Sequence, residues 1–478
     1  MTRVVLALDQ GSHASRACVF DESGTLCAAC SVPVATRHTA GTRVEHDADE
    51  LVDSVQRAAL AALRAARNRH ARLECIGAGL AVQRSSVVCC TPAGAPLSAV
   101  LSWQDRRHAQ WLTGLATHEA RITELTGLPL SPHYGASKLR WCLDELPAVQ
   151  RAAERAELLM APLASFLALR LSGAPATVDP ANASRTLLWD SGRGDWSDEL
   201  LALFALRREW LPRARHTCGD FGMLQLDAGP VPLRALTGDQ SAVPFAAGSP
   251  DHAAVYINLG TGAFIQRPLA MRAAHPAPLL GSVLSRDDSG TRYSLEGTVN
   301  GAGSATTWLC QIEQLEESAL WAALETLAPH TPLPCFINGV GGLGSPWWRA
   351  HLAPRFLGSG GPLQRFAAVV ESIAFMIAVN VQELTRQAGA PRRLVLSGGM
   401  SRSAWLCRRL AALLGLPVTT QHAEASARGA AALAAPALAS HWPAPQGASW
   451  QAAPDAALAA RYQLFQETLA AALAGLAP

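Results

Sequence analysis

Short apolar runs alternate with polar tips along this chain. Val4–Leu8 is an unbroken apolar stretch that predicts a buried strand, and Ala17–Phe20 and Leu26–Val34 predict two more. The polar tip Asp9-Gln10-Gly11-Ser12-His13-Ala14-Ser15-Arg16 separates the first two, and the turn Asp21-Glu22-Ser23-Gly24 separates the second from the third. The Ala/Leu/Arg segment 51–69 predicts a helix, with Asp47 as N-cap and Glu50 at the capping-box position. Ile76–Ala81 and Val87–Cys90 predict buried strands, and residues 108–175 predict helices broken by a turn over 126–134. The opening pattern then restarts. Ala253–Asn258 predicts a strand, Leu259–Phe264 a Gly/hydroxyl tip, and Ile265 onward a second strand. Helices are predicted over Ala305–Leu315 and Glu371–Arg386, and a strand over Arg393–Leu396. Ser397-Gly398-Gly399-Met400 then leads into a helix that ends near Leu414. Ala-rich helices over 430–435 and 456–476 close the pattern.

Two strand–tip–strand units, one opening each half, point to an internal duplication with halves 1–246 and 247–478. A Gly- and hydroxyl-bearing hairpin tip offers free N–H and O–H donors to a phosphate. Asp9, at a strand end, suits Mg²⁺, which keeps much of its water and takes few carboxylates. A strand–Gly–Gly–helix turn such as 397–403 lets backbone approach a flat ligand. Arg84 and Trp103, at strand ends, suit a polyol, one as a donor to hydroxyls and the other as a flat wall. At the junction of the halves, Leu236-Thr237-Gly238-Asp239-Gln240 holds a carboxylate behind a turn-forming glycine, placed to face a cleft and accept a proton from a bound hydroxyl.

Composition narrows the choices. A net charge of +2 gives no strong pull toward nucleic acid or membrane. The Ala-rich C-terminal region is interrupted by Pro436 and Pro443, no stretch reads as a span, and no secretory signal is visible. The 11 cysteines form no framework, which predicts reduced thiols in the cytoplasm, and the lone Cys27-x-x-Cys30 reads as strand packing. Lys138 is the only lysine and no G-x-x-x-x-G-K-[ST] occurs, so a P-loop NTPase is excluded. Gly339-Val340-Gly341-Gly342-Leu343-Gly344 matches G-x-G-x-x-G, but Ser345-Pro346-Trp347-Trp348 follows where a dinucleotide fingerprint opens a helix.

The collinear series LALDQGSHASRACVF, EHDADEL, SWQDRR, TGLPLSPHYGASKLRW, NASRTLLWD, LTGDQSA, LGTGAF, LEGTVNGAGSATTWL, GGLGSPWW and LSGGMSRSAWLCRRLAALLGLPV resembles the FGGY carbohydrate kinases over nearly the whole length, and within them the glycerol-kinase branch. The resemblance implies an α/β fold of two ribonuclease-H-like, actin/hexokinase-type domains with ATP and sugar in the cleft between them. It implies Asp239 as general base and Asp9, with Asp239, beside Mg²⁺. Gly11, Ser12, His13, Ala14 and Arg16 would lie near the phosphates, faced by Gly260, Thr261 and Gly262. Gly303, Thr307, Gly399, Met400 and Ser403 would line the nucleoside pocket. Arg84, Ser85, Trp103, His133, Gln240 and Phe264 would hold the substrate. A homodimer is implied by analogy.

Several positions depart from that branch. Ser85 stands where it has Glu, His133 where it has Tyr, and His13 where it has the second Thr of the tip. Thr307 replaces Gln, Ser403 replaces Asn, Arg349 replaces Asp, and residues 350–365 match poorly. A site missing the partner of a buried polar group discriminates strongly against the old substrate. The expected reaction is therefore phosphorylation of a polyol or ketose other than glycerol. The alternatives are glycerol kinase activity proper, a non-catalytic sugar or nucleotide sensor on the same fold, and an actin-like ATPase.

Overall fold

The computed structural model describes residues 2–475 apart from residues 40, 71, 227–228, 329–330, 422–423 and 444–446. The first half is built on β1 (Thr2–Gln10), β2 (Ala14–Asp21) and β3 (Leu26–Pro33), an antiparallel meander. Helix α1 (Ala48–Arg69) leads to β4 (Leu73–Val82), which lies parallel to β1. After helix α2 (Gly135–Glu145), strand β5 (Val231–Gly238) lies parallel to β4. With the short strand Met223–Leu224, the spatial order is Met223–Leu224, β5, β4, β1, β2, β3.

The second half repeats the plan. β6 (Ala254–Leu259) and β7 (Ala263–Leu269) form a hairpin. β8 (Leu280–Asp287) and β9 (Gly290–Val299) continue it as antiparallel strands, with β9 beside β7. Helices α3 (Gly303–Glu313) and α4 (Pro362–Ala388) precede β10 (Arg393–Ser397), which is parallel to β6. Helix α5 (Ala404–Leu414) connects it to β11 (Val418–Thr420), again parallel. Helix α6 (Ala425–Ala434) and β12 (Ser449–Trp450) follow, giving the order β8, β9, β7, β6, β10, β11, β12. Each sheet thus centres on a hairpin strand flanked by a parallel partner, as a duplication requires.

The apolar run of β1 has a two-sided cause. Val4, Leu6 and Leu8 pack with Leu51, Val55 and Ala62 of α1. Val5 and Ala7, on the other face, pack with Ala427, Ala430 and Ala431 of α6, which belongs to the second half of the sequence. A strand covered on both faces reads as continuous apolar sequence instead of an alternation. The exchange is mutual: Val243 and Ala246, just beyond β5, pack with Ala254, Tyr256 and Val395 of the second sheet. Helix α4 is long and apolar enough to cross a bilayer, yet 89% of its most apolar window is buried, inside the second core.

Two local expectations are corrected, the capping box and the unbroken helical stretch. Asp47 caps α1 by accepting from the Asp49 and Glu50 N–H groups, and the helix starts at Ala48. Glu50 does not complete a capping box, because its carboxylate accepts from the Ala35 N–H (2.9 Å) and so ties the helix to the chain before it. The helical expectation for 108–175 hides the strand Leu159–Pro162, which pairs antiparallel with Val87–Cys90. All four of its residues are buried, and a four-residue apolar run carries no period that separates strand from helix. The closing helix spans Ala456–Ala474, and the end of the segment expected there, Leu476, is outside the described residues.

Candidate active site

The register of the first sheet aligns the ends of its three parallel strands. Gln10 pairs with Val82, and Val82 with Gly238. The residues that follow these strands therefore emerge at one edge: the tip from Gly11, Gln83-Arg84-Ser85, and Asp239-Gln240. The carboxyl ends of parallel strands are where α/β sheets bind ligands. The second sheet does the same. Asn258 of β6 pairs with Ser397 of β10, so the 259–262 tip and Gly398-Gly399-Met400 leave together.

Asp239 opens the short helix Asp239–Ala242, and its Oδ1 accepts from the Gln240 N–H (2.7 Å). Burial raises its pKa above the ordinary carboxylate range, while the Arg84 guanidinium pulls it back down. Asp9, at the end of β1, is pushed up to about 7, first by burial and then by the negative charge of Asp239, with Arg16 opposing. Two buried carboxylates whose pKa values are both raised, Asp9 in part by the charge of Asp239, form an oxygen-donor pair. That chemistry fits a hard divalent cation such as Mg²⁺.

The first tip is closed by Gly11 N–H donating to the Ala14 carbonyl (3.0 Å). The Trp103 indole N–H donates to Ser12 Oγ (2.9 Å), and Ser12 Oγ to Gln83 Oε1 (3.2 Å), so the aromatic wall is tied to the tip. His13 is exposed on the tip, and Arg16 meets Glu424 of the second half at 3.5 Å. The second tip closes through Gly260 N–H to the Gly262 carbonyl (2.9 Å) and is stitched to the start of α3. Gly303 N–H donates to the Gly260 carbonyl (2.9 Å) and Ser304 N–H to the Thr261 carbonyl (3.0 Å). A side chain at Gly303 would put its Cβ 2.8 Å from the Gly260 oxygen, so the approach needs glycine. Gly398 has φ +85°, and a Cβ there would meet the Leu259 oxygen at 2.4 Å.

Beside this tip is a cavity of about 580 Å³. The expected residues Gly260, Thr261, Gly303, Thr307, Gly399 and Met400 line it. Ser403 does not. Its Oγ donates to Glu325 Oε1 (2.7 Å) and accepts from the Leu406 N–H (3.3 Å), which makes it the N-cap of α5. Sequence reasoning missed Gln311, Glu317 and Trp321 in the same wall. Gln311 is four residues beyond Thr307 and so shares its face of α3, a spacing that was available in the sequence. Glu317 holds Thr307 Oγ1 at 3.0 Å.

On the substrate side, Trp103 and His133 are neighbours, with ring centroids 5.5 Å apart. Gln240 is fixed from the second half: Asn258 Nδ2 donates to its Oε1 (3.2 Å) and Gln266 Nε2 to its carbonyl (2.8 Å). Phe264 is half-buried on β7, in register with Asn258. Arg84 makes two bonds to Glu296 of β9, 2.7 and 2.9 Å long, with both side chains only 6% and 5% exposed. Arg185 reaches the same carboxylate at 3.4 Å and donates to Ser282 Oγ (2.9 Å). Burial would raise the Glu296 pKa, but the two guanidinium groups outweigh it and bring it down to about 2. Neither Glu296 nor Arg185 was singled out from sequence. For Glu296 the available signal was a charge set in an apolar strand context, since such charges are seldom buried unless paired. Ser85 stands at φ +66° with its hydroxyl buried and, among the described residues, without a partner.

Paired ribonuclease-H-like lobes, with two Gly-bearing tips and two carboxylates at the strand ends, define a phosphotransferase of the actin/hexokinase type. Residues 4–257 match the N-terminal domain of the FGGY family of carbohydrate kinases and residues 255–438 its C-terminal domain. The chain belongs to this family and is a sugar or polyol kinase; ATP and Mg²⁺ are the family's cofactors. It is 33% identical over 431 residues to the glycerol kinase of Cereibacter sphaeroides, covering 87% of this chain and 86% of that one. It is 34% identical over 457 residues to the glycerol kinase of Dechloromonas aromatica, covering 90% and 88%. Its fold superposes on Plasmodium falciparum glycerol kinase with ADP (TM-score 0.87, 20% identity, 100% of this chain and 99% of that one). Xylulose kinase from Rhodospirillum rubrum is similarly close (TM-score 0.84, 22% identity, 98% and 99%).

Proposed function

We propose that this kinase transfers the γ-phosphoryl group of ATP to a primary hydroxyl of a polyol or ketose other than glycerol, with Asp239 as general base. The observation that carries the reading is the position of Asp239: its charge is felt by Asp9 on one side and by Arg84 on the other. The acceptor oxygen attacks phosphorus, the bond to the ADP oxygen breaks, and the hydroxyl proton passes to Asp239. Positioning and charge neutralisation supply most of the acceleration in such transfers. Bound Mg²⁺ neutralises phosphate charge, and Asp9 and Asp239 are the residues that would hold it. Gly11, Ser12, His13, Ala14 and Arg16 with Gly260, Thr261 and Gly262 would grip the phosphates. The cavity beside Gly399 and Met400 would take the nucleoside. Arg84, Trp103, Gln240 and Phe264 would hold the acceptor.

Glycerol is the second reading, favoured by the name of the relatives at 33% and 34% identity. Ser85 and His133 weigh against it, because they remove a carboxylate and a phenol from the wall that pairs the acceptor's hydroxyls. Domains divided near residue 246, a cytoplasmic setting and a homodimer complete the proposal. The 11 cysteines, all of them free thiols, suit a reducing compartment. The test is ADP release over a panel of three- to seven-carbon polyols and ketoses with Mg·ATP. Submillimolar KM for glycerol, with nothing else turned over as well, would end the reading in favour of glycerol.

A further inference from the structure

Among the described residues, Glu317 is the one carboxylate that lines the cavity of about 580 Å³ beside the second tip. Its two acidic neighbours in sequence have structural partners. Glu313 pairs with Arg365 (2.7 Å), and Glu316 caps the short helix Glu317–Leu324 by accepting from the Ser318 N–H (3.3 Å). Glu317 does neither, and among the described residues no cation lies in ion-pair range of it. Hydroxyls and an indole hold its carboxylate instead. Oε1 accepts from Thr306 Oγ1 (2.7 Å) and from the Trp321 indole N–H (3.3 Å), and Oε2 accepts from Thr307 Oγ1 (3.0 Å). Trp321 is in turn set edge-on against Phe366 of α4, with ring centroids 5.1 Å apart.

An ionised carboxylate offers about four acceptor sites and no donor. Two are used on Oε1 and one on Oε2, so the unused site is on Oε2. Thr307 gives its only hydroxyl hydrogen to that oxygen, which leaves its own oxygen an acceptor as well. Thr307 is exposed, so this wall presents two adjacent acceptors, 3.0 Å apart, with no free hydrogen between them. Phosphate oxygens are acceptors and gain nothing there. The edge of adenine presents one donor group among acceptors. A ribose presents two neighbouring hydroxyls, each of them a donor. The place along α3 agrees. Gly303 is bonded to the second tip, and Thr307 follows it by four residues, about 6 Å along the helix. With the phosphates on the tip, the sugar of a nucleotide is at that level. We infer that Glu317 Oε2, with Thr307 beside it, accepts the 2′- and 3′-hydroxyls of the nucleotide's ribose and makes the enzyme selective for ribonucleotides over 2′-deoxyribonucleotides. Capture of a ribose hydroxyl by a carboxylate is also how dinucleotide-binding folds read the sugar. The pair belongs to this chain: Thr307 stands where the glycerol-kinase branch has Gln, and Glu317 lies outside the motifs shared with that branch. The inference rests on the reading of this cavity as the nucleoside site and deepens it.

Calorimetry with Mg²⁺ and either ADP or 2′-deoxy-ADP tests this without an acceptor. The wild type is expected to bind the deoxy compound about tenfold or more weakly. Glu317→Ala should bring the two affinities close together, mostly by weakening ADP. A ratio that survives this substitution would overturn the inference, because a carboxylate that merely packs the wall affects both nucleotides alike. Glu317→Gln puts one neutral oxygen in place of the carboxylate and should give an intermediate ratio; it reads the same point if Glu317→Ala does not fold. Thr307→Trp fills the cavity from an exposed position and tests the cavity itself. Weaker ADP binding in that variant, together with a wild type that binds both nucleotides equally, would overturn the ribose assignment and leave the nucleoside site standing. ADP binding untouched by Thr307→Trp would overturn both.

Discussion

Arg84, at the end of a first-sheet strand, and Glu296, inside a second-sheet strand, form a buried two-bond ion pair that joins the two halves of the chain. Their separation in sequence is 212 residues. Arg84 also lowers the pKa of Asp239, so the same side chain links the halves and tunes the proposed base.

Removing one partner leaves the other charge buried and unpaired, so Glu296→Gln should destabilise the fold by about 3 kcal/mol or more. Chemical denaturation measures this. The Glu296 pKa is depressed in the folded state, so its contribution is present above the unfolded carboxylate pKa. It is lost as pH falls toward the folded value of about 2. The stability gap between wild type and variant should therefore close in acid and stay constant from neutral pH upward.

Asp239→Asn keeps the size and the turn but cannot take a proton. Turnover should fall by on the order of 10²–10⁴-fold. ADP affinity, measured by calorimetry, should change little, because the nucleotide cavity is lined from the other tip. Near-normal kcat in this variant would remove Asp239 from the mechanism.

Asp9 has the opposite linkage. Its folded pKa of about 7 is above the ordinary value of 3.8, so the unfolded chain ionises first. Its cost to stability is absent at acid pH, grows as pH rises from about 4, and levels off above about 7. Asp9→Asn should raise the Tm of the ligand-free protein at pH values above that range and leave it unchanged near pH 3 to 4. The same variant should lose any Mg²⁺-dependent rise in Tm seen in the wild type.

Gly398→Ala would force a Cβ into the Leu259 oxygen at a φ that favours glycine. A loss of about 1–3 kcal/mol in stability is expected, with weaker ADP binding, since Gly399 and Met400 line the cavity next to it. Thermal-shift measurements with and without ADP separate the two effects. Unchanged behaviour in both would mean that the Gly398 turn relaxes freely.

Much of the framework was legible in one dimension. The runs Val4–Leu8 and Ala253–Asn258 are central strands because both their faces are covered, and burial on both faces writes itself as uninterrupted apolar sequence. The tips after them carry Gly and hydroxyl residues in order, so the two phosphate-type loops and Asp239 stood out before any geometry. Thr307 was read as a nucleoside contact and does line the cavity; Ser403, from the same kind of motif reading, turned out to cap a helix. A hydroxyl beside a helix start serves either purpose, and only its neighbours decide which.

The sequence by itself determined the strands, the tips, the duplication and the kinase family, because these rest on local periodicity and on motifs read in order. Tertiary structure alone decided that Gln10, Val82 and Gly238 end level with one another and that Glu296 answers Arg84 and Arg185. The physical reason is that strand register and charge pairing are settled between residues far apart in the chain. The strength of a buried charge depends on which distant group reaches it, and no local pattern of hydrophobic and polar positions records that choice.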